Sequence, residues 1–228
     1  MDAKQALAHL EKKGTAHARK IYLRHGYPEP LFGVSFAELN ALKKRIKTDQ
    51  ALAEALWSSG NADARILAAM VADPSRFTRA GARKWIRESD FRTLRDYVSC
   101  MIARSPGAAK LATDFLSSKD PGERQAGLTM IATLGQEGTP VPLEVSRRAL
   151  KRIEREIHAA DNWSRYGMMY ALIGIGAYDP SLTKDAIAAA KRIGKVEFDP
   201  GETDCKMPDP VPYIERTVAH LAKHKKGK

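Results

Sequence analysis

Cysteine is nearly absent from this chain: Cys100 and Cys205 are the only two in 228 residues, far apart and in no CxxC or Cys/His spacing. A disulfide framework and a zinc site are therefore not supported, and both thiols are expected to be free. No run approaches the roughly 18 consecutive apolar residues of a membrane helix. The opening "MDAKQALAHLEKKG" lacks the apolar core of a secretory signal. The expectation is a cytoplasmic protein with no membrane partner. Period-two alternation of β-branched residues is also nearly missing, which leaves little room for sheet. No Gly-rich strand-to-helix fingerprint, no Ser/His/Asp arrangement at a recognised spacing and no kinase-like signature occurs. "GIGAYDP" reads as a helix C-cap and turn, not as a phosphate loop. His9, His17 and His25 recur every eight residues, two helical turns apart and too far for one metal. No metal and no cofactor is expected.

Basic charge is abundant. Lys plus Arg outnumber Asp plus Glu by 38 to 27, a net charge of +11, and the pI is near 9.7. Such a balance suits a polyanion, with nucleic acid as the leading partner. Ala and Leu recur at helical spacing almost throughout, so the fold class is all-α. Helices are expected near 2–24, 35–47, 49–58, 61–72, 78–87, 91–104, 107–117, 121–134, 143–158, 162–177, 181–193 and 210–223. Breakers such as Gly26-Tyr27-Pro28, Asp73-Pro74, Asp120-Pro121 and Asp179-Pro180 fall between them. A single domain spanning 1–228 is expected, with an irregular segment at 194–209 before the last helix and a basic tail at 224–228.

The close rhythm of short helices suggests a repeat. "DARILAAM", "ERQAGLTM" and "SRYGMMY" each set an arginine before small and apolar residues, and "TLRDYVSCMIA" joins the series. The arginines are Arg65, Arg95, Arg124 and Arg165, separated by 30, 29 and 41 residues. That is the scale of a helix pair, and the expected architecture is a HEAT-like α-solenoid of antiparallel helix pairs with a concave basic cleft. The four arginines have two readings, contacts to DNA phosphates or braces between repeats through acids such as Asp63 or Asp120. Trp163, Tyr166 and Tyr170 form one helical stripe that serves either DNA or the core, and Asn162 beside Trp163 can cap its helix.

The segments "NADARILAAMVADP", "WIRESDFRTLRD", "SSKDPGERQAGLTMIATL", "NWSRYGMMYALIGIG" and "AAAKRIGKVEFDPGETDCKMPDP" together resemble the AlkD-type DNA alkylation repair proteins, which are HEAT-like DNA glycosylases. The likeness runs over nearly the whole chain. It implies removal of cationic N3- or N7-alkylated purines from double-stranded DNA by hydrolysis of the N-glycosidic bond. A positively charged purine is already a good leaving group, so one carboxylate beside the oxocarbenium-like sugar suffices. By the same resemblance that carboxylate is Asp96. The family's motif is aromatic-acid-x-x-Asp; here Arg92 stands on the aromatic and Thr93 on the first acid, so the carboxylate is kept and the rest is not. Phe91 and Tyr97 are the nearest rings. Arg124 falls on the family's phosphate-binding arginine and Tyr170 near its second aromatic, and Arg92, Arg95, Arg165, Trp163 and Tyr166 complete the candidate DNA contacts. Two alternatives stay open: a non-catalytic DNA-binding relative, and a scaffold whose groove holds a peptide. No obligate protein partner is expected, and DNA binding implies association with the nucleoid.

Overall fold

Helix caps explain most of the element boundaries. In the computed structural model, which describes residues 1–139, 141–200 and 205–225, thirteen α-helices are present among the described residues. They are α1 (Ala3–Lys13), α2 (Ala16–Arg24), α3 (Phe36–Ile46), α4 (Gln50–Ser58), α5 (Ala62–Val71), α6 (Arg79–Arg87), α7 (Arg92–Ile102), α8 (Ala108–Leu116), α9 (Pro121–Gln136), α10 (Leu143–Glu156), α11 (Asn162–Tyr178), α12 (Thr183–Ile193) and α13 (Pro210–Lys225). Ser35, Asp49, Asn61, Thr78, Asp120 and Asp161 each accept a backbone N–H from the first turn that follows them. These bonds satisfy donors that a helix start leaves orphaned. Asp161, not Asn162, caps α11.

One expected helix is two. The stretch 2–24 breaks at Gly14 and Thr15 because Thr15 starts α2 as an N-cap, and its N–H leaves the helical path for the Gly33 carbonyl. Gly14 also lies against the Phe32 backbone so closely that a Cβ there would stand 2.4 Å from the carbonyl oxygen. Tertiary contact, not propensity, sets this break.

Two compact units divide the chain, Met1–Pro106 and Gly107–Lys228. In the first, α4 packs on α5, α6 on α7, and α5 on α7. In the second, α8 packs on α9, α10 on α11 and α12 on α13, while α9, α11 and α13 stack in sequence. Within each unit the second helices of successive pairs thus face one another. Leu94, Val98 and Ile102 of α7 and Leu128, Met130 and Leu134 of α9 are buried at these contacts. Among the described residues no helix is long and apolar enough to cross a membrane. Positions 201–204 of the irregular segment and the last three residues of the basic tail lie outside the described residues; His224 and Lys225 close the backbone of α13.

Candidate nucleic-acid interface

The arginine series occupies one structural position. Arg65, Arg95, Arg124 and Arg165 are each the fourth residue of a second helix, on α5, α7, α9 and α11. Each guanidinium donates to main-chain carbonyls at or just beyond the end of the preceding helix, and Arg65 and Arg165 also donate to the carbonyls of Glu88 and Glu197, later in the chain. Arg65 donates to Trp57 O at 3.3 Å, and Arg95 to Ser89 O at 2.7 Å. Arg124 Nη1 donates to Lys119 O at 2.6 Å and Ser118 O at 3.3 Å. Arg165 donates to His158 O at 2.9 Å and Glu197 O at 3.2 Å. The negative end of a helix leaves its last carbonyls without intrahelical partners, and a cation there is favourable. The brace reading named acids such as Asp63 or Asp120; one acid, Asp90, lies 3.9 Å from Arg65, whereas Asp120 caps α9 and Asp63 accepts the N–H groups of Phe32, Gly33 and Val34.

Asp96 lies one turn into α7. Its Oδ2 accepts from Arg92 Nη1 at 2.7 Å, and both side chains are 28% exposed. Burial pushes the Asp96 carboxyl above the usual range, against the pull of Arg92 and then Arg95. His25 is held below the usual imidazole range by burial and then by Arg92. The two rings nearest Asp96 in sequence are each packed against another aromatic. Phe91 is buried against Tyr27 at 4.4 Å between centroids, and Tyr97 stacks on Phe36 at 5.8 Å. Tyr27 is itself stacked on Tyr22 and hydrogen-bonded to Thr93, with burial lifting its hydroxyl far above the usual tyrosine range.

The raised Asp96 pKa has a definite sign. A carboxyl that holds its proton more tightly when folded contributes stability below its unfolded pKa of about 3.9, and that contribution is lost as pH rises through the folded value. Asp96→Asn is therefore expected to gain stability relative to the parent as pH rises from about 4 through that window. Urea unfolding of both proteins across pH checks it, and parallel curves would show that the carboxyl is unperturbed.

In the second unit, Arg124 borders a cavity of about 320 Å³ with Gln125, Arg152, Asp161 and Ser164 among its lining. The Asp161 carboxyl is lowered: burial opposes this, but the Ser164 hydroxyl and the N–H groups of Ser164 and Trp163 outweigh it. The rings of α11 form a chain. Tyr166 lies 5.9 Å from Trp163 and 4.8 Å from Tyr170, with the two tyrosine hydroxyls 3.2 Å apart. Phe198 covers Trp163 and Tyr166 at 5.2 and 5.0 Å, while Tyr170 remains 40% exposed. The stripe is thus packed at its start and open at Tyr170. The irregular segment also acquires a function in packing, since Asn162 exchanges two hydrogen bonds with the Asp199 backbone, at 2.7 and 2.8 Å.

Known proteins decide the family. A family model described as DNA alkylation repair enzyme matches residues 3–196. The chain belongs to this family. Two uncharacterized proteins of Listeria are similar to it over 204 residues, 86% of this chain and 88% of each relative. They are Lin0241 of Listeria innocua serovar 6a at 28% identity and Lmo0209 of Listeria monocytogenes serovar 1/2a at 27%. A solved structure aligns with a TM-score of 0.81 and 26% identity, covering 97% of this chain and 95% of that one. It is described as representing "a new family of proteins related to the HEAT-like repeat DNA glycosylases with affinity for branched DNA structures". This member of the DNA alkylation repair family accordingly has the HEAT-like all-α fold. Its sequence signal also includes a cluster not singled out above: Arg76, Arg79, Arg83, Lys84 and Arg87, five cations within twelve residues and no acid among them.

Proposed function

We propose that this chain is a DNA-binding member of the family that recognises duplex and branched DNA through the phosphate backbone and does not excise bases. The Arg92–Asp96 ion pair at 2.7 Å carries this reading. A catalytic carboxylate in N-glycosidic hydrolysis must face a developing oxocarbenium with its charge uncompensated. Here a guanidinium neutralises it, adds a positive charge beside a cationic transition state, and stands where the family has an aromatic. The net charge of +11 supports a polyanionic partner, and the solved relative has affinity for branched DNA structures.

Phosphate contacts are assigned to Arg92, Arg95, Arg124 and Arg165. A guanidinium has five N–H donors, and the carbonyl contact of Arg124 uses Nη1. Trp163, Tyr166 and Tyr170 are assigned to bases or sugars, with Tyr170 the most accessible of the three. A second reading is favoured by one observation, that Asp96 itself is retained. In it the chain excises N3- or N7-alkylated purines from duplex DNA, with Asp96 stabilising the oxocarbenium and orienting water.

One experiment separates the two. Methylated duplex DNA is incubated with the protein and assayed for free 7-methylguanine and 3-methyladenine, while duplex and four-way-junction binding is titrated against salt. Tight junction binding that weakens steeply with salt, with no base released above the protein-free blank, is the expected result. Base release that disappears in Asp96→Asn would establish the second reading. An absence of salt-dependent DNA binding would remove both and leave the peptide scaffold.

A further inference from the structure

Helix α13 lies beyond residues 3–196, the part of the chain that the family model matches. It packs on α11 and α12, and Ile214 anchors it as a wholly buried side chain. Tyr213, the residue before that anchor, is thereby set beside Tyr170 of α11, with ring centroids 6.3 Å apart and ring planes at 76°. Arg216, three residues further on, places its guanidinium 5.9 Å from the centre of the Tyr213 ring.

Both rings remain open to solvent, Tyr170 at 40% and Tyr213 at 38% of their surface. A single exposed aromatic is ordinary on a protein surface. Here two meet across separate helices, and Tyr170 continues a row of rings because Tyr166 lies 4.8 Å from it. An aromatic face with a cation at its edge matches the two halves of a nucleotide, a ring for the base and a positive charge for the phosphate.

We propose that Tyr213 and Tyr170, with Arg216 beside them, form a stacking platform for unpaired bases of DNA at a branch point. The inference rests on the DNA-binding reading above and names the part of a branched DNA that this face takes. In a continuous duplex each base is stacked between its neighbours and offers only its edges in the grooves, so its π-face does not reach a tyrosine. Unpaired nucleotides at a junction, gap or flap turn that face outward. A protein partner is a poorer fit. Among the described residues of the second unit, Leu143, Tyr170 and Tyr213 are the only large hydrophobic side chains left exposed, whereas a stable protein interface takes about 20–30 residues a side around an apolar core.

The test compares affinity for a three-way junction carrying unpaired nucleotides with affinity for an intact duplex, at one salt concentration. The ratio of the two is the readout, because a general loss of phosphate contacts lowers both. Tyr213→Leu is expected to lower the ratio by about 5-fold or more, and Tyr213→Phe, which keeps the ring, to stay near the parent. Circular dichroism and thermal melting verify that both fold. In the parent, 5-iodouracil within the unpaired segment is expected to photocross-link to Tyr213 or Tyr170, a result that stands even where a variant fails to fold. An unchanged ratio in Tyr213→Leu, an equal fall in Tyr213→Phe, or no cross-link from the unpaired segment would overturn the platform. An unchanged ratio together with self-association of the parent that Tyr213→Leu abolishes would give the face to a second copy of the chain. A parent protein without DNA affinity would refute the functional reading itself, whereas a DNA-binding parent with no preference for unpaired nucleotides refutes only the platform.

Discussion

Replacement of Asp63 by alanine is expected to lower global stability by about 3–5 kcal/mol, among the largest effects of any single substitution in the first unit. The side chain is wholly buried. Its Oδ2 accepts from the N–H groups of Phe32 at 2.8 Å and Gly33 at 3.0 Å, and its Oδ1 from that of Val34 at 3.0 Å. Burial pushes the carboxyl up, and the three donors hold that rise back. Alanine removes the acceptor from three donors, two of them buried and the third half-buried. Asparagine keeps the shape but must turn an amide N–H toward at least one of them, so Asp63→Asn is expected to cost about 1–3 kcal/mol. Denaturant unfolding reads both. For a chain of this length the alanine variant should melt roughly 10 °C lower. Loss below 1 kcal/mol in Asp63→Ala would mean that the 30–34 segment finds other acceptors.

A comparable effect is expected in the second unit from Gly127→Val. A Cβ at Gly127 would lie 2.6 Å from the Leu116 nitrogen and 3.1 Å from the Ala112 oxygen, both backbone atoms of α8. No side-chain rotation relieves such a contact, so α8 and α9 must separate. The cost is expected to be about 3 kcal/mol or more. Gly135 lies on the same helix but meets only the Tyr178 side chain, at 3.4 Å. Gly135→Ala is therefore expected to be neutral or to gain up to about 1 kcal/mol from helix propensity. Denaturation of the two variants together separates helix crossing from helix propensity, and similar values for both would show that the crossing has slack.

The helices were legible because their signals are local. Asp49, Asn61, Thr78, Asp120 and Asp161 announce starts that the structure places within a residue or two of expectation. The break at Gly14 was not legible, since its cause is the Phe32–Gly33 backbone, distant in sequence. The Arg65, Arg95, Arg124 and Arg165 series was legible as a repeat, yet its partners were misread. Apart from Asp90 beside Arg65, they are main-chain carbonyls, which every residue has and no sequence pattern marks. At the candidate site the Arg92–Asp96 pair follows from i, i+4 spacing alone. The engagement of Phe91 and Tyr97 by Tyr27 and Phe36 does not, because it depends on how α2, α3 and α7 meet. The basic cluster at 76–87 was present in the sequence but dissolved in the chain-wide charge.

The arginine braces also bear on cooperativity. In a linear array, stability is the sum of a term for each unit and a term for each junction between units. The bonds of Arg95 to Ser89 O and of Arg124 to Lys119 O and Ser118 O enter the first sum alone, whereas Arg65 also reaches Glu88 O and Asp90, and Arg165 also reaches Glu197 O, so these two contribute to the second sum as well. The α6–α7 and α8–α9 pairs are thus tied within themselves, whereas the bonds of Arg65 and Arg165 also hold each of their pairs to the chain that follows it.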